Sequence, residues 1–356
     1  MWPDTRILDL LNIELPIIQA PMAGAQGSAL AMAVSEAGGL GSLPCALLSG
    51  EQVRSEWELI RKATAKPVNL NFFCHEPPAP DPEREQRWRE RLAVYAPEFG
   101  LDPAAPYPAS NRNPFDEASC ALVEELRPAV VSFHFGLPKP DLLDRVKATG
   151  AKVLSSATTV AEARWLEDRG VSAIIAQGFE AGGHRGMFLS DDLSTQVGTM
   201  ALVPRVVDAV KVPVIAAGGI ADARGIAAAF ALGAAAVQIG TAWLFCPEAK
   251  ISALHAKALR EIGDQPTALT NIFSGRPARG IVNRVVREVG PMAAEASAFP
   301  LAGGALAPLR AKAEGQGSGD FSPLWAGQAA QLAREMPAGE LTQYLATEAL
   351  RQMQRA

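Results

Sequence analysis

Short apolar runs recur along the first two thirds of this chain, and helix-like stretches separate them. In order the runs are Leu15 to Met22, Leu40 to Cys45, Pro67 to Phe73, Ala129 to Phe135, Lys152 to Ala157, Ser172 to Ile175, Val212 to Gly219 and Ala235 to Gly240. Most are continuously apolar, the pattern of parallel strands buried on both faces. The intervening segments read as helices over Ser28 to Ala37, Ser49 to Thr64, Asp116 to Leu126, Asp141 to Thr149, Val160 to Arg169, Gly198 to Val210 and Asp222 to Leu232. Ser28 and Ser49 are suited to cap helix starts, and Gly38, Gly170 and Gly233 to end helices. Eight such βα units over ~250 residues predict a (β/α)8 barrel, the TIM-barrel class of α/β fold. The competing architecture, an open doubly wound sheet, requires a GxGxxG turn after the first strand. Met22 is followed instead by Ala23-Gly24-Ala25-Gln26-Gly27, which lacks that spacing.

Two regions interrupt the rhythm. Residues 74–115 are rich in proline and charge, with one helical piece near Pro82 to Tyr95; they form either a lid or a solvated excursion. Beyond Cys246 a helix is expected over Pro247 to Ile262, then a loosely structured Gly/Ala-rich stretch at 301–319. Two last helices follow, near Pro323 to Glu335 and Gly339 to Met353. The chain thus divides into a barrel at 1–246 and a C-terminal appendage at 247–356 that supplies a substrate-side segment.

Composition narrows the class. Of 356 residues, 48% are hydrophobic and 20% charged, which is ample for a packed core. The net charge of −5 argues against a nucleic-acid or anionic-membrane partner. Gly225 to Cys246 is uncharged and reaches the ~20 residues that can span a bilayer. Gly233, Gln238 and Gly240 interrupt it, so it reads as a helix followed by a strand. The cysteines Cys45, Cys74, Cys120 and Cys246 form no CxxC pair, so neither a disulfide framework nor a metal site is expected. No signal pattern opens the chain, and a cytoplasmic, reduced setting is the expectation.

In a (β/α)8 barrel the chemistry sits at the C-terminal strand ends. Here those ends read Met22, Cys45, Asn71, His134, Ser155-Ser156, Gln177, Gly218-Gly219 and Gly240-Thr241. Polar groups and glycines converge on one mouth, whereas prolines and apolar residues occupy the other. Gly218-Gly219 and Gly240-Thr241 follow strands seven and eight, where this architecture holds phosphate. The sixth strand runs into Ala176-Gln177-Gly178-Phe179-Glu180-Ala181-Gly182-Gly183-His184-Arg185-Gly186, a loop with more chemistry than a turn requires. Glu180 and Arg185 are expected to pair locally and hold its shape.

An ordered set of segments resembles the class I nitronate monooxygenases, formerly called 2-nitropropane dioxygenases, a flavin family on a TIM barrel. The set comprises Gln19 to Ala23, Gln177 to Gly186, Ala217 to Ile220, Gln238 to Thr241 and Phe273 to Gly280, and the similarity runs from about residue 5 to 350. The resemblance implies bound FMN. Met22 and Asn71 would lie by the isoalloxazine ring, with Gln177 at its polar edge. Gly182, Gly183, Gly218, Gly219, Gln238, Gly240 and Thr241 would hold the ribityl phosphate end. It implies oxidative denitrification of an alkyl nitronate with O2, giving a carbonyl compound and nitrite, with propionate 3-nitronate as a physiological substrate. His184 matches the family's catalytic histidine. His134, flanked by Phe133 and Phe135 at a strand end, is a second catalytic candidate, its alternative role being that of a hydrogen-bonded core residue. An imidazole titrating near ~6.5 can take an α-proton from a nitroalkane. His75 and His255 lie outside the motifs and are expected at the surface.

This chain departs from the family where members carry tyrosines and a lysine. Its segment is Phe299 to Ala307, apolar throughout, so weaker preference for a carboxylate-bearing nitronate is expected. Two other readings compete: an FMN-dependent NAD(P)H reductase of a quinone or enoyl thioester on the same barrel, and a binding barrel without a reaction.

Overall fold

The computed structural model of the chain describes residues 1–107 and 112–355. Eight parallel strands form its centre: β1 (Ile17–Gln19), β2 (Gly41–Pro44), β3 (Val68–Phe73), β4 (Val130–His134), β5 (Lys152–Ala157), β6 (Ala173–Gln177), β8 (Val214–Ala217) and β9 (Ala236–Ile239). The two-residue strand β7 (Gly183–His184) lies outside this sheet, with β10 (Thr267–Thr270) and β11 (Ala278–Ile281). The order β1-β9-β8-β6-β5-β4-β3-β2 closes through a parallel bridge between Ile18 and Leu40. Closure leaves no sheet edge, and the fold is the expected (β/α)8 barrel.

The two-residue period of a strand decides which side chains face the barrel axis. Along β4, Val131 and Phe133 pack outward under the helices, while Val130, Ser132 and His134 alternate with them. Along β6, Ile174 and Ala176 pack outward, and Ala173, Ile175 and Gln177 take the other side. The interior is therefore layered. Ile18, Leu40, Val130, Leu154 and Ile215 seal one end together with Ile7 and Leu11 of the helix Arg6–Leu11. Burying each such side chain contributes ~1.5–3 kcal/mol. Above them lies a polar layer. Gln19 bonds Gln26 and the Ser42 backbone N–H, and Asn69 and Asn71 both donate to Ser132 Oγ. The polar layer thus rests on an apolar one, so the site is held from below by rigid packing.

The C-terminal third departs from expectation in several places. The helix expected over Pro247 to Ile262 is confined to Ala253–Arg260. The stretch at 301–319 is not loose, because Ala302–Gly315 is a helix with Ala302, Leu306, Leu309 and Ala313 buried. Its small residues permit close approach: a Cβ at Gly303 would stand 2.6 Å from the Phe273 carbonyl. Trp88, on the helix Pro82–Ala93 of the interrupting segment, donates to the Ala302 carbonyl at 2.9 Å. That segment is therefore packed against the appendage; positions 108–111 lie outside the described residues. No α-helix forms over 323–335, where only the 3-10 turn Ala330–Leu332 is found. The final helix Ala338–Arg355 packs Leu341, Leu345 and Ala349 into the same core as the barrel helices, so the barrel resumes after the appendage. No helix among the described residues is long and apolar enough to cross a membrane, and all four cysteines are free.

Candidate active site

A cavity of about 610 Å3 lies at the C-terminal strand ends, within the ~300–1,000 Å3 usual for small-molecule sites. Met22, Asn71, His134, Gln177, Gly182, Gly183, His184, Gly218, Gly219, Gln238, Gly240 and Thr241 all line it. Strand alternation delivers the polar members. His134 and Gln177 are the last inward positions of β4 and β6, and Asn71 and Phe73 the last two of β3.

Paired glycines shape part of the cavity wall. Gly218 has φ +105° and Gly219 φ +71°, a left-handed backbone that other residues avoid. A Cβ at Gly218 would stand 3.0 Å from both Ala181 N and Gly178 O. Thr241 Oγ1 accepts from Gly327 N–H at 2.9 Å, which leaves its own O–H proton to donate. Gln238 Oε1 is buried without a partner among the described residues, an acceptor awaiting a donor. Asn71 spends its Nδ2 on Ser132, and its Oδ1 has no partner among the described residues. Free acceptors and a glycine-lined stretch of wall are compatible with a bound flavin.

His184 is not on a free loop. β7 pairs antiparallel with β11, placing His184 opposite Ala278 and Gly183 opposite Arg279. Arg279 donates from Nε and Nη2 to the Phe179 carbonyl at 3.1 and 2.9 Å, anchoring the start of the loop to the same strand. The imidazole Nε2 lies 2.8 Å from Ser274 Oγ. Nδ1 has no hydrogen-bond partner among the described residues. Burial first, then Arg112, His134, Arg276 and His75, holds the His184 pKa well below the ordinary 6.5. The base form therefore dominates at neutral pH.

His134 is differently placed. Its Nε2 faces the His184 carbonyl at 3.2 Å and its Nδ1 faces Ser156 Oγ at 3.1 Å. Burial holds its pKa down to about 4. Both ring nitrogens are engaged inside the protein, so the expected second base has no lone pair to offer the cavity. Gln177 is engaged as well, donating from Nε2 to the His184 carbonyl at 2.9 Å and accepting from Gly186 N–H at 2.7 Å.

Other expectations are revised. His75 and His255 are buried, 4% and 8% exposed, not at the surface. His255 Nε2 meets the Trp325 carbonyl at 3.0 Å, and the His75 ring lies 4.8 Å from that of Phe299. Glu180 and Arg185 do not pair. Glu180 accepts from Thr199 N–H and Oγ–H, whereas Arg185 donates to the carbonyls of Gly178 and Gln177 and to Gln196. Each braces the loop against a different element. Phe299 packs on His184 at 5.5 Å between ring centres, but no residue of 299–307 lines the cavity, whereas Arg112, Arg310 and Lys250 do. The wall is thus less apolar than the Phe299 segment implies. Ser274, Trp325 and Gly327 belong to the site and escaped the sequence reading. Ser274 lies within the segment Phe273 to Gly280, which was recognised without a role for it.

The chain has relatives over its whole length in both sequence and fold. The family model described as nitronate monooxygenase matches residues 4–348. A nitronate monooxygenase of Pseudomonas aeruginosa is 44% identical over 349 residues, covering 96% of this chain and 98% of that protein. Among solved structures, a nitroalkane oxidase from Streptomyces ansochromogenes superposes with a TM-score of 0.89 at 38% identity, covering 98% of this chain and 99% of that one. FabK from Thermotoga maritima follows the same fold, with a TM-score of 0.73 at 29% identity and coverage of 98% and 97%. The whole-length match in sequence and fold makes this chain a member of the nitronate monooxygenase family and an oxidoreductase.

Proposed function

We propose that this enzyme oxidatively denitrifies alkyl nitronates with O2, using bound FMN, to a carbonyl compound and nitrite. The observation that carries the reading is His184: Nε2 tied to Ser274 and Nδ1 without a partner among the described residues, at the wall of a cavity lined also by paired glycines. Gly182, Gly183, Gly218, Gly219, Gln238, Gly240 and Thr241 would hold the phosphate and ribityl end of the flavin, and Met22, Asn71 and Gln177 its ring. Bound FMN supplies the one-electron acceptor, and O2 is the terminal oxidant.

The chain's own residues do the rest. Ser274 Oγ has one proton and two acceptors within reach, His184 Nε2 at 2.8 Å and the Arg276 carbonyl at 3.2 Å. With that proton turned to Arg276, His184 donates from Nε2 and keeps a lone pair on Nδ1. That state accepts the α-proton of a neutral nitroalkane. With the proton turned to His184, Nδ1 carries hydrogen and donates to a nitronate oxygen. Phe73 and Trp325 line the cavity beside it and exclude water from the reacting carbon.

The test is direct: record the visible spectrum of the purified protein and add ethyl nitronate in air. A yellow protein that consumes O2 and releases nitrite is expected. A colourless protein, or a yellow one that leaves O2 untouched, overturns the reading. Rapid anaerobic bleaching by NAD(P)H without nitronate-dependent O2 uptake favours the reductase alternative.

A further inference from the structure

We infer that His134 is a positioning residue: its Nε2–H and the side-chain amide of Gln177 together grip the backbone carbonyl of His184 and fix the strand that carries it. The inference rests on the reading that His184 carries the chemistry.

A carbonyl oxygen only accepts, so at 3.2 Å the His134 Nε2 must carry the proton. The lone pair of the neutral ring is then on Nδ1, where it accepts from the Ser156 hydroxyl at 3.1 Å. The tautomer is set from both sides. Gln177 adds the second donor to the same carbonyl and uses its Oε1 to hold Gly186 N–H two residues on. His134, Ser156 and Gln177 stand on β4, β5 and β6, the rigid part of the barrel, whereas His184 is on the two-residue strand β7. The clamp ties this short strand to the barrel. The other side of the segment is held by β11 and by Arg185 N–H on the Pro277 carbonyl at 2.8 Å.

Gly186 shows that the arrangement is tightly fitted. A Cβ there would stand 2.8 Å from His134 Cε1 and 3.0 Å from Ser156 Cβ, so the chain passes directly against the ring. A histidine held this way can transmit position but has no free lone pair for a substrate proton. A catalytic group misplaced by about 1 Å costs on the order of 100-fold in rate, so a carbonyl grip of this kind matters without touching substrate.

The experiment compares the wild-type enzyme with His134→Gln and His134→Phe. Gln keeps an N–H that can reach the carbonyl, and Phe keeps a flat ring without one. The first readout is 15N NMR of the histidine ring nitrogens, which needs no turnover. It is expected to show His134 as a neutral Nε2–H tautomer that does not titrate near pH 6.5, and a His184 signal that moves in H134F more than in H134Q. A His134 in the Nδ1–H form, or one titrating near 6.5, overturns the inference even if the nitronate reading stands. The second readout is kcat and KM for ethyl nitronate across pH, with melting temperature and visible absorbance per protein as controls for folding. Expected is a loss in kcat of about tenfold or more for H134F and about threefold for H134Q, with KM and the shape of the pH profile kept. Equal losses in both, with the acidic limb of the profile gone, identify His134 as a proton carrier and overturn the inference. If H134F does not fold, the tautomer of the wild type and the pH profile of H134Q decide it. An inactive wild type sinks the nitronate reading but leaves the tautomer measurement to judge the clamp.

Discussion

Ser274 Oγ stands 2.8 Å from His184 Nε2 although the two are 90 residues apart in the chain. Ser274 is buried, and the Arg276 backbone meets its hydroxyl from both N–H and C=O. Removing the hydroxyl leaves His184 Nε2 without a partner in a dry site. Ser274→Ala is expected to lower kcat about tenfold, the rate equivalent of a hydrogen bond worth ~1–1.5 kcal/mol. Flavin content is expected to stay at the wild-type level. Steady-state O2 uptake with ethyl nitronate and nitroethane checks this, and unchanged kcat on both means that the serine does not serve His184.

The histidines set the response to acid. In the folded chain burial holds His75 and His134 down to about 4 and His184 well below 6.5. In the unfolded chain each titrates near ~6.5. Below that value the unfolded state binds protons that the folded state does not, so stability falls as pH drops from about 6.5 toward 4 and is fully present above. Urea midpoints at pH 7.5, 6 and 5 should decrease in that order. On the same ground, proton abstraction from nitroethane should persist well below pH 6.5, because the His184 lone pair is still available there. A kinetic limb at 6.5 contradicts the burial argument.

Gly218 and Gly150 separate cofactor binding from backbone strain. Both have left-handed φ, +105° and +90°. A Cβ at Gly218 meets backbone at 3.0 Å on the cavity wall, whereas at Gly150 nothing lies within 4 Å. Each Gly→Ala change is expected to cost ~1–3 kcal/mol of stability through strain. Only Gly218→Ala should also lose flavin during purification. Absorbance per protein and melting temperature, measured together, test the difference.

Substrate preference rests with the arginines of the cavity wall rather than with Phe299. The segment Phe299 to Ala307 offers no hydroxyl or cation for a carboxylate and lies outside the cavity lining, so discrimination between propionate 3-nitronate and ethyl nitronate should be weak. What preference exists falls to Arg112 and Arg310 in the cavity wall. Arg310 is half exposed and tied to Glu314 at 2.7 Å, and an exposed charge pair is worth ~0.2–1 kcal/mol. Arg310→Met should therefore cut kcat/KM for the acid by at most about fivefold and leave ethyl nitronate unchanged. A strong preference for the acid in the wild type refutes the expectation of weak discrimination.

The Gly/Ala stretch at 301–319 shows where local reading fails. Glycine and alanine carry no periodic signal, so the segment looks unstructured. They are the residues that let the helix Ala302–Gly315 approach the Phe273 backbone, and the reason lies in the neighbour. His75 and His255 misled for the same cause, since burial by Phe299 and by the Trp325 segment cannot be seen from either side of a histidine in sequence.

What the chain's own residue order determined was the barrel and its chemical end. Strand burial and alternation act over one or two residues, and turn glycines over three or four, so both are written locally. They place Asn71, His134, Gln177 and the paired glycines at one mouth before any contact is known. Tertiary structure decided what those groups do. The pairing of β7 with β11 made His184 part of a sheet, Ser274 took its Nε2, and the clamp from His134 and Gln177 occupied the nitrogens that had looked free. A hydrogen bond between residues 50 or 90 positions apart leaves no local signature, because it depends on where the packed core brings two strand ends together.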